Sequence, residues 1–182
     1  ALCHSKRHLA RAKALEVLSL SPCMVIALCE VHGNEESLRV LLRRVLRTHD
    51  LVFHSGLANA QGDLRGDVAG IALLVAKELL QGQPPPSCSV IAPGRLGRVV
   101  LNWGGGSPDS AQHSCAIYPC HNFGISRPQM SLFEDFYSVD LEGAKRDPNQ
   151  FSVILLGDFN IEPRGYKRLV VPKPTESAGL DI

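Results

Sequence analysis

The chain has 182 residues, 45% of them hydrophobic and 20% charged, a composition that suits one ordinary globular domain and excludes a disordered or fibrous chain. Its 19 basic residues stand against 18 acidic ones, so no overall field draws it to polyanions, and a phosphate-bearing substrate must be gripped locally. No apolar run reaches the roughly 20 residues of a membrane span, and residues 1–30 lack the hydrophobic block and small-residue cleavage site of a secretory signal.

In chain order, "SKRHLARAKALEVLS" (5–19) sets Leu9, Ala12, Leu15 and Leu18 at helical spacing and leaves Lys6, Arg7, Arg11 and Lys13 for solvent, which predicts an amphipathic helix. "CMVIALCE" (23–30) is a short continuous apolar run of strand length that ends on an acid. "NEESLRVLLRRVLRT" (34–48) predicts one helix: Leu38, Leu41, Leu42 and Val45 share a face behind an Asn34 cap, early glutamates suit the helix dipole, and Arg39, Arg43, Arg44 and Arg47 form the solvated side. From Asp50 the pattern changes to the short runs "LVFHSGL", "VAGIALLVA", "CSVIA", "GRVVLNW" and "SCAIYPC", separated by Gly, Pro and Asp, and these predict successive strands. "QGQPPPS" (81–87) and "GGGSPDS" (104–110) are loops by composition, the second expected to be mobile, and neither resembles a domain linker. "PQMSLFEDFYSVDLEGA" (128–144) predicts a helix with Pro128 in its first turn, leading into the strand "FSVILLGD" (151–158), whose apolar run reads as a central strand. The sum is one mixed α/β domain in which strands outnumber helices.

Six cysteines are scattered without a C-x-x-C pair and mostly lie in apolar runs, so buried free thiols in a reducing compartment are expected rather than a zinc site. Two strands share a design: each is apolar throughout and delivers an acid at its carboxyl end, Glu30 in one and Asp158 in the other. In open α/β architectures ligands gather outside such strand ends, and two carboxylates with water suit Mg²⁺ or Mn²⁺. The bland alternative is that each acid caps its turn.

The segments "LCEVHG", "GIALLVAK", "GRVVLNW", "AIYPCHNFG" and above all "VILLGDFN" (153–160) follow one another as in the endonuclease/exonuclease/phosphatase superfamily, which this chain resembles from about residue 6 to residue 163. The resemblance implies a deoxyribonuclease I-like four-layer α/β sandwich, two packed mixed sheets flanked by helices, and a metal-dependent phosphodiesterase of endonuclease type, as in retroelements. Such an enzyme would be intracellular, act in the nucleus and take nucleic acid as substrate. Phosphoinositide, sphingomyelin or poly(A) phosphodiesterases share the fold and are the alternative. Carried over by position, Glu30 is the metal-binding glutamate, Asp158 a metal-side and catalytic aspartate at the scissile phosphate, and Asn160 a neutral donor to that phosphate. His121 or Tyr118 is the phosphate contact on the "AIYPCHNFG" strand; "C-H-N" favours His121, and Tyr118 is otherwise a core aromatic. His32 lies two residues beyond Glu30 but is expected in a solvated loop, and Arg95 and Arg98 in "PGRLGRVV" are expected to be exposed turn arginines rather than phosphate ligands.

The family also uses a first-strand asparagine and a late Ser-Asp-His, and neither occurs in these 182 residues. The expectation is therefore one domain incomplete at both ends, weak or absent hydrolysis by this chain alone, and association through exposed sheet edges; a non-catalytic remnant is the competing reading.

Overall fold

Two sheets take up the apolar runs, and helices lie beside them. The computed structural model describes residues 8–56, 70–104, 112–122 and 124–159. In chain order these form α1 (His8–Ser19), β1 (Val25–Cys29), α2 (Glu35–Leu41), β2 (His49–Gly56), β3 (Gly70–Ala76), α3 (Lys77–Leu80), β4 (Ser87–Ala92), β5 (Leu96–Trp103), β6 (His113–His121), α4 (Arg127–Arg146) and β7 (Phe151–Asp158). No described helix is long and apolar enough to cross a membrane. Cys3, Asn160 and most of the 104–110 loop lie outside the described residues.

The first sheet is antiparallel with strand order β1-β3-β2, and the second has the order β4-β5-β6-β7, antiparallel except for the parallel pair β6–β7. A parallel pair needs a crossover, and α4 supplies it. Every residue of β3 is buried because the strand is flanked on both edges and covered on both faces. Ile71, Leu73 and Val75 face Val99, Leu101, Cys115 and Ile117 of the second sheet, whereas Ala72 and Leu74 face Leu38, Leu42 and Val45 below α2. A third apolar cluster lies between the second sheet and α4, where Tyr118 meets Phe133 and Tyr137 edge-on at 5.5 and 5.7 Å.

The expected elements are present, with three differences. The helix predicted over 34–48 is α only through Leu41 and then tightens into a 3₁₀ turn, Val45–Arg47. The Asn34 cap holds, its Oδ1 accepting from Ser37 N at 2.8 Å. The tighter winding seats Val45 in the core and turns the chain into β2, a common use of 3₁₀ geometry at helix ends. Second, β7, which the sequence presents as a central strand, is an edge strand among the described residues. Ile154 and Leu155 are 39% and 38% exposed. A continuous apolar run records burial appetite rather than position in a sheet. Third, Cys115 and Cys120 are buried free thiols as expected, but Cys23 and Cys88 are exposed, since both fall at strand margins.

Candidate functional site at the strand ends

The chain leaves β1 through a constrained step. Glu30 has φ 56°, making it the one non-glycine residue with positive φ among the described residues, a conformation that costs on the order of 1–3 kcal/mol and persists where surrounding contacts enforce it. Those contacts are close by. Val31 N donates to Gly70 O at 3.0 Å, and a Cβ on Gly70 would lie 1.8 Å from Val31 O, so β3 approaches the chain this closely only because residue 70 has no side chain.

The ends of β6 and β7 are built in the same way. His121 and Asp158 face each other in register, and Asn122 N donates to Asp158 O at 2.8 Å. Gly157 has φ 147°, and a Cβ there would meet Cys120 O at 1.8 Å. Cys29 ties the two sheets together at this level, its Sγ donating to Cys120 O at 3.4 Å. Burial first, and then the charges of Asp158 and Glu30, push the Cys29 thiol up, opposed by the Asp158 backbone N–H. Burial first, then Cys29 and Asp158, pushes Cys120 to about 11. Both thiols are therefore protonated at neutral pH, and both feel the carboxylate of Asp158.

Glu30, His32, Arg95 and His121 meet at this end. His32 Nε2 is 3.1 Å from Glu30 Oε2, and His121 Nδ1 is 3.1 Å from Glu30 Oε1. Arg95 Nη1 lies 2.8 Å from His121 Nδ1 and 3.9 Å from Glu30 Oε1. His32, Arg95 and His121 are buried, with 9%, 9% and 5% exposure, whereas the Glu30 side chain is 43% exposed, so the carboxylate is the part of the cluster that faces water. His121 Nδ1 has two neighbours with opposite demands. Arg95 donates into its lone pair, which suits a ring carrying its proton on Nε2, while Glu30 accepts a proton from it. Arg95 is itself held by its backbone: its O accepts from His121 N at 2.7 Å and its N donates to Ala92 O at 2.9 Å.

Burial pushes the Glu30 carboxyl up, but the His32 hydrogen bond and the charges of His121, His32 and Arg95 outweigh it and hold Glu30 below its ordinary value. A carboxyl depressed in the folded state contributes stability that is full above its unfolded pKa, near 4.3, and is lost as pH falls through the folded value. Urea midpoints measured from pH 6 to pH 3 should therefore fall more steeply for the wild type than for Glu30→Gln. Parallel curves would show that the cluster adds nothing to folding.

No protein-family model and no curated protein sequence matches the chain. Its fold is similar to that of a solved AP endonuclease. That structure, LMAP from Leishmania major, superposes with a TM-score of 0.50 at 17% identity, covering 86% of this chain and 52% of the other. At this identity the likeness shows the fold alone, an α/β arrangement of two sheets with few helices, in keeping with the deoxyribonuclease I-like fold that the sequence resemblance implies. The chain spans about half the length of that endonuclease.

Of the residues singled out in the sequence, the structure brings Glu30 and His121 into contact and sets Asp158 in register beside His121. Asn160 lies outside the described residues. Tyr118 is placed elsewhere. It is fully buried and donates from its hydroxyl to Asp140 Oδ2 at 2.5 Å, under α4. Tyr118 and His121 are three residues apart on one strand, so alternation sends them to opposite faces, and only the His121 face meets Glu30. His32 is buried against Glu30 rather than solvated, and Arg95 is buried rather than exposed, because the β4–β5 turn folds back onto the end of β6. Arg98 is bound to Asp140 at 2.6 and 2.7 Å, away from the cluster. The Glu-x-His spacing was a usable signal for His32, but nothing in the sequence distinguishes Arg95 from any turn arginine.

The expected Mg²⁺ or Mn²⁺ finds a poor donor set here. Both Glu30 oxygens are already engaged by imidazole nitrogens, and among the described residues no group of three His, Cys, Asp or Glu side chains has the arrangement of a cation site. No catalytic step is assigned to a metal.

Proposed function

We propose that the cluster at the ends of β1, β6 and β7 is a phosphodiester site of the nuclease type, taking nucleic acid as substrate, in a deoxyribonuclease I-like four-layer α/β sandwich. What carries this reading is the meeting of Glu30, His32, Arg95 and His121 at one end of the two sheets, with Asp158 in register beside them. Arg95 is a charge-assisted donor and the imidazoles are hydrogen-bonding partners suited to nonbridging phosphate oxygens, and a carboxylate at Asp158 suits the attacking or leaving oxygen. Asn160 would add a neutral donor to the same phosphate. A retroelement setting is supported by the "HNFG" ending alone. These 182 residues contain no Ser-Asp-His, so we expect hydrolysis by them alone to be reduced by on the order of 10⁴, because groups that act as a unit fail together.

The test is binding of a duplex with one abasic site, followed by fluorescence anisotropy, beside nicking of plasmid with Mg²⁺. Arg95→Ala and His121→Ala should each weaken binding by roughly tenfold, the worth of a lost charged hydrogen bond, while nicking stays near background. Binding untouched by either substitution would remove the site. Brisk nicking abolished by Asp158→Ala would overturn the expected inactivity.

A non-catalytic site is the second reading, favoured by the imidazoles already beside both Glu30 oxygens. Calorimetry with Mn²⁺ separates the two. Binding lost in Glu30→Gln would support a cation-assisted enzyme, and no heat at all would favour the remnant.

A further inference from the structure

Between α1 and the end of α2 runs an open groove of about 390 Å³. Its floor is apolar, with Ala12 and Leu15 from α1 and Val40 and Leu41 from α2. Leu15 and Leu41 are half-buried and continue the first apolar cluster outward, whereas Val40 is 68% exposed. Helical geometry sets Leu38 inward and Val40, two residues on, away from it. At the rim stand Arg43 and Arg44, both exposed. Arg39 on the same helix is tied to Glu35 at 2.8 Å, but the guanidiniums of Arg43, Arg44 and Arg47 form no ion pair with a described residue. The chain as a whole has a net charge of only +1, so three such cations within five residues are a local feature.

We propose that this groove docks an acidic amphipathic helix of a partner protein, with apolar side chains on Val40 and the leucine floor and carboxylates on Arg43 and Arg44. Complementarity of charge and polarity selects that occupant. A helix lying in a groove presents apolar side chains at i, i+3, i+4 and i+7, and acids on its flanks then fall beside the rim. A guanidinium meets a carboxylate with paired, charge-assisted hydrogen bonds. A nucleic-acid backbone would answer the arginines but bring no apolar group to the floor, and an uncharged apolar ligand would leave the arginines unused. Exposed charge pairs are individually weak, so the arginines set the orientation and rate of encounter while the apolar contacts set how long it lasts. The groove lies on the face of the first sheet turned away from the second, and the inference is independent of whether the strand-end cluster is catalytic.

The probe is a fluorescent synthetic peptide of about 15 residues, helical, with Leu at i, i+3, i+4 and i+7 and Glu on both flanks, titrated with the 182-residue chain and followed by anisotropy. A second peptide carries Lys in place of each Glu. The Glu peptide should bind roughly tenfold more tightly than the Lys peptide, and the preference should reverse in the double variant Arg43→Glu with Arg44→Glu. Val40→Asp should weaken the Glu peptide by roughly tenfold, the worth of a buried valine, while Val139→Asp, at a similarly exposed valine of α4, should leave it unchanged. Each altered side chain is exposed, so the variants should fold, and matching circular dichroism spectra check this. Equal binding of the two peptides, or binding of neither, would overturn the proposal. So would displacement of the Glu peptide by a DNA duplex that binds Val40→Asp as tightly as the wild type, since the arginines would then be a phosphate contact.

Discussion

Asp140→Ala should destabilise the protein by about 3–5 kcal/mol, the penalty for removing one partner of a buried ion pair, and lower the melting temperature by roughly 6–20 °C at a few degrees per kcal/mol. Asp140 is 4% exposed and lies on α4 against the second sheet. Its Oδ2 accepts from Arg98 Nε at 2.7 Å and from the Tyr118 hydroxyl at 2.5 Å, and its Oδ1 accepts from Arg98 Nη2 at 2.6 Å. Hydrogen bonding to Asp140 raises the Arg98 pKa further, and burial, then the Asp140 bond, pushes the Tyr118 hydroxyl well above its ordinary value. One carboxylate therefore satisfies a mostly buried guanidinium on β5 and a buried phenol on β6 at the same time. Removing it orphans both, and orphaned buried polar groups carry their full desolvation penalty. Asp140→Asn keeps an acceptor and should lose less. The double change Asp140→Leu with Arg98→Met, which removes the charge pair rather than half of it, should recover much of the loss. Urea unfolding of the four proteins reads all of this. A loss under 1 kcal/mol for Asp140→Ala would mean that α4 is held by its apolar contacts alone.

Gly157→Ala should be the most damaging small change near the strand ends. The added methyl would lie 1.8 Å from Cys120 O, 2.7 Å from its C and 3.0 Å from its N, all backbone atoms that no rotamer change can move aside. The φ of 147° is also one that an L side chain rarely adopts. Overpacking of this kind costs on the order of 1–3 kcal/mol and the backbone strain a similar amount. Relief requires β6 and β7 to part where His121 faces Asp158. Gly82→Ala is the control, because Gly82 has φ 74° with nothing within 4 Å of its notional Cβ and so isolates strain from collision. Gly157→Ala should lose clearly more stability than Gly82→Ala and should speed hydrogen exchange at Asn122 N, which donates to Asp158 O. Equal effects in the two variants would show that the close approach at Gly157 is not what holds the strand ends together.

Much of the architecture was legible in the residues alone. Period-3.6 patterning found α1, α2 and α4, and short apolar runs between Gly, Pro and Asp found all seven described strands. The acids placed at two strand ends, Glu30 and Asp158, lie at one end of the two sheets, on either side of His121. The misreadings share a cause. Whether Arg95 is exposed and whether Arg98 pairs with Asp140 are questions about neighbours far away in sequence, and a local pattern holds no record of them. Cys29 and Cys120, whose contact joins the two sheets at the cluster, are 91 residues apart.

By itself, then, the sequence determined which segments are strands and helices, because that depends on side-chain periodicity and on turn residues acting within a few positions. It also determined that Glu30 and Asp158 end apolar strands. Only the tertiary structure decided that His32, Arg95 and His121 surround Glu30, that Tyr118 instead completes a buried network with Arg98 and Asp140, and that β7 lies at an edge among the described residues. Those outcomes follow from sheet order, from strand alternation once a face has been assigned, and from two glycines that allow backbones to approach more closely than a methyl group permits.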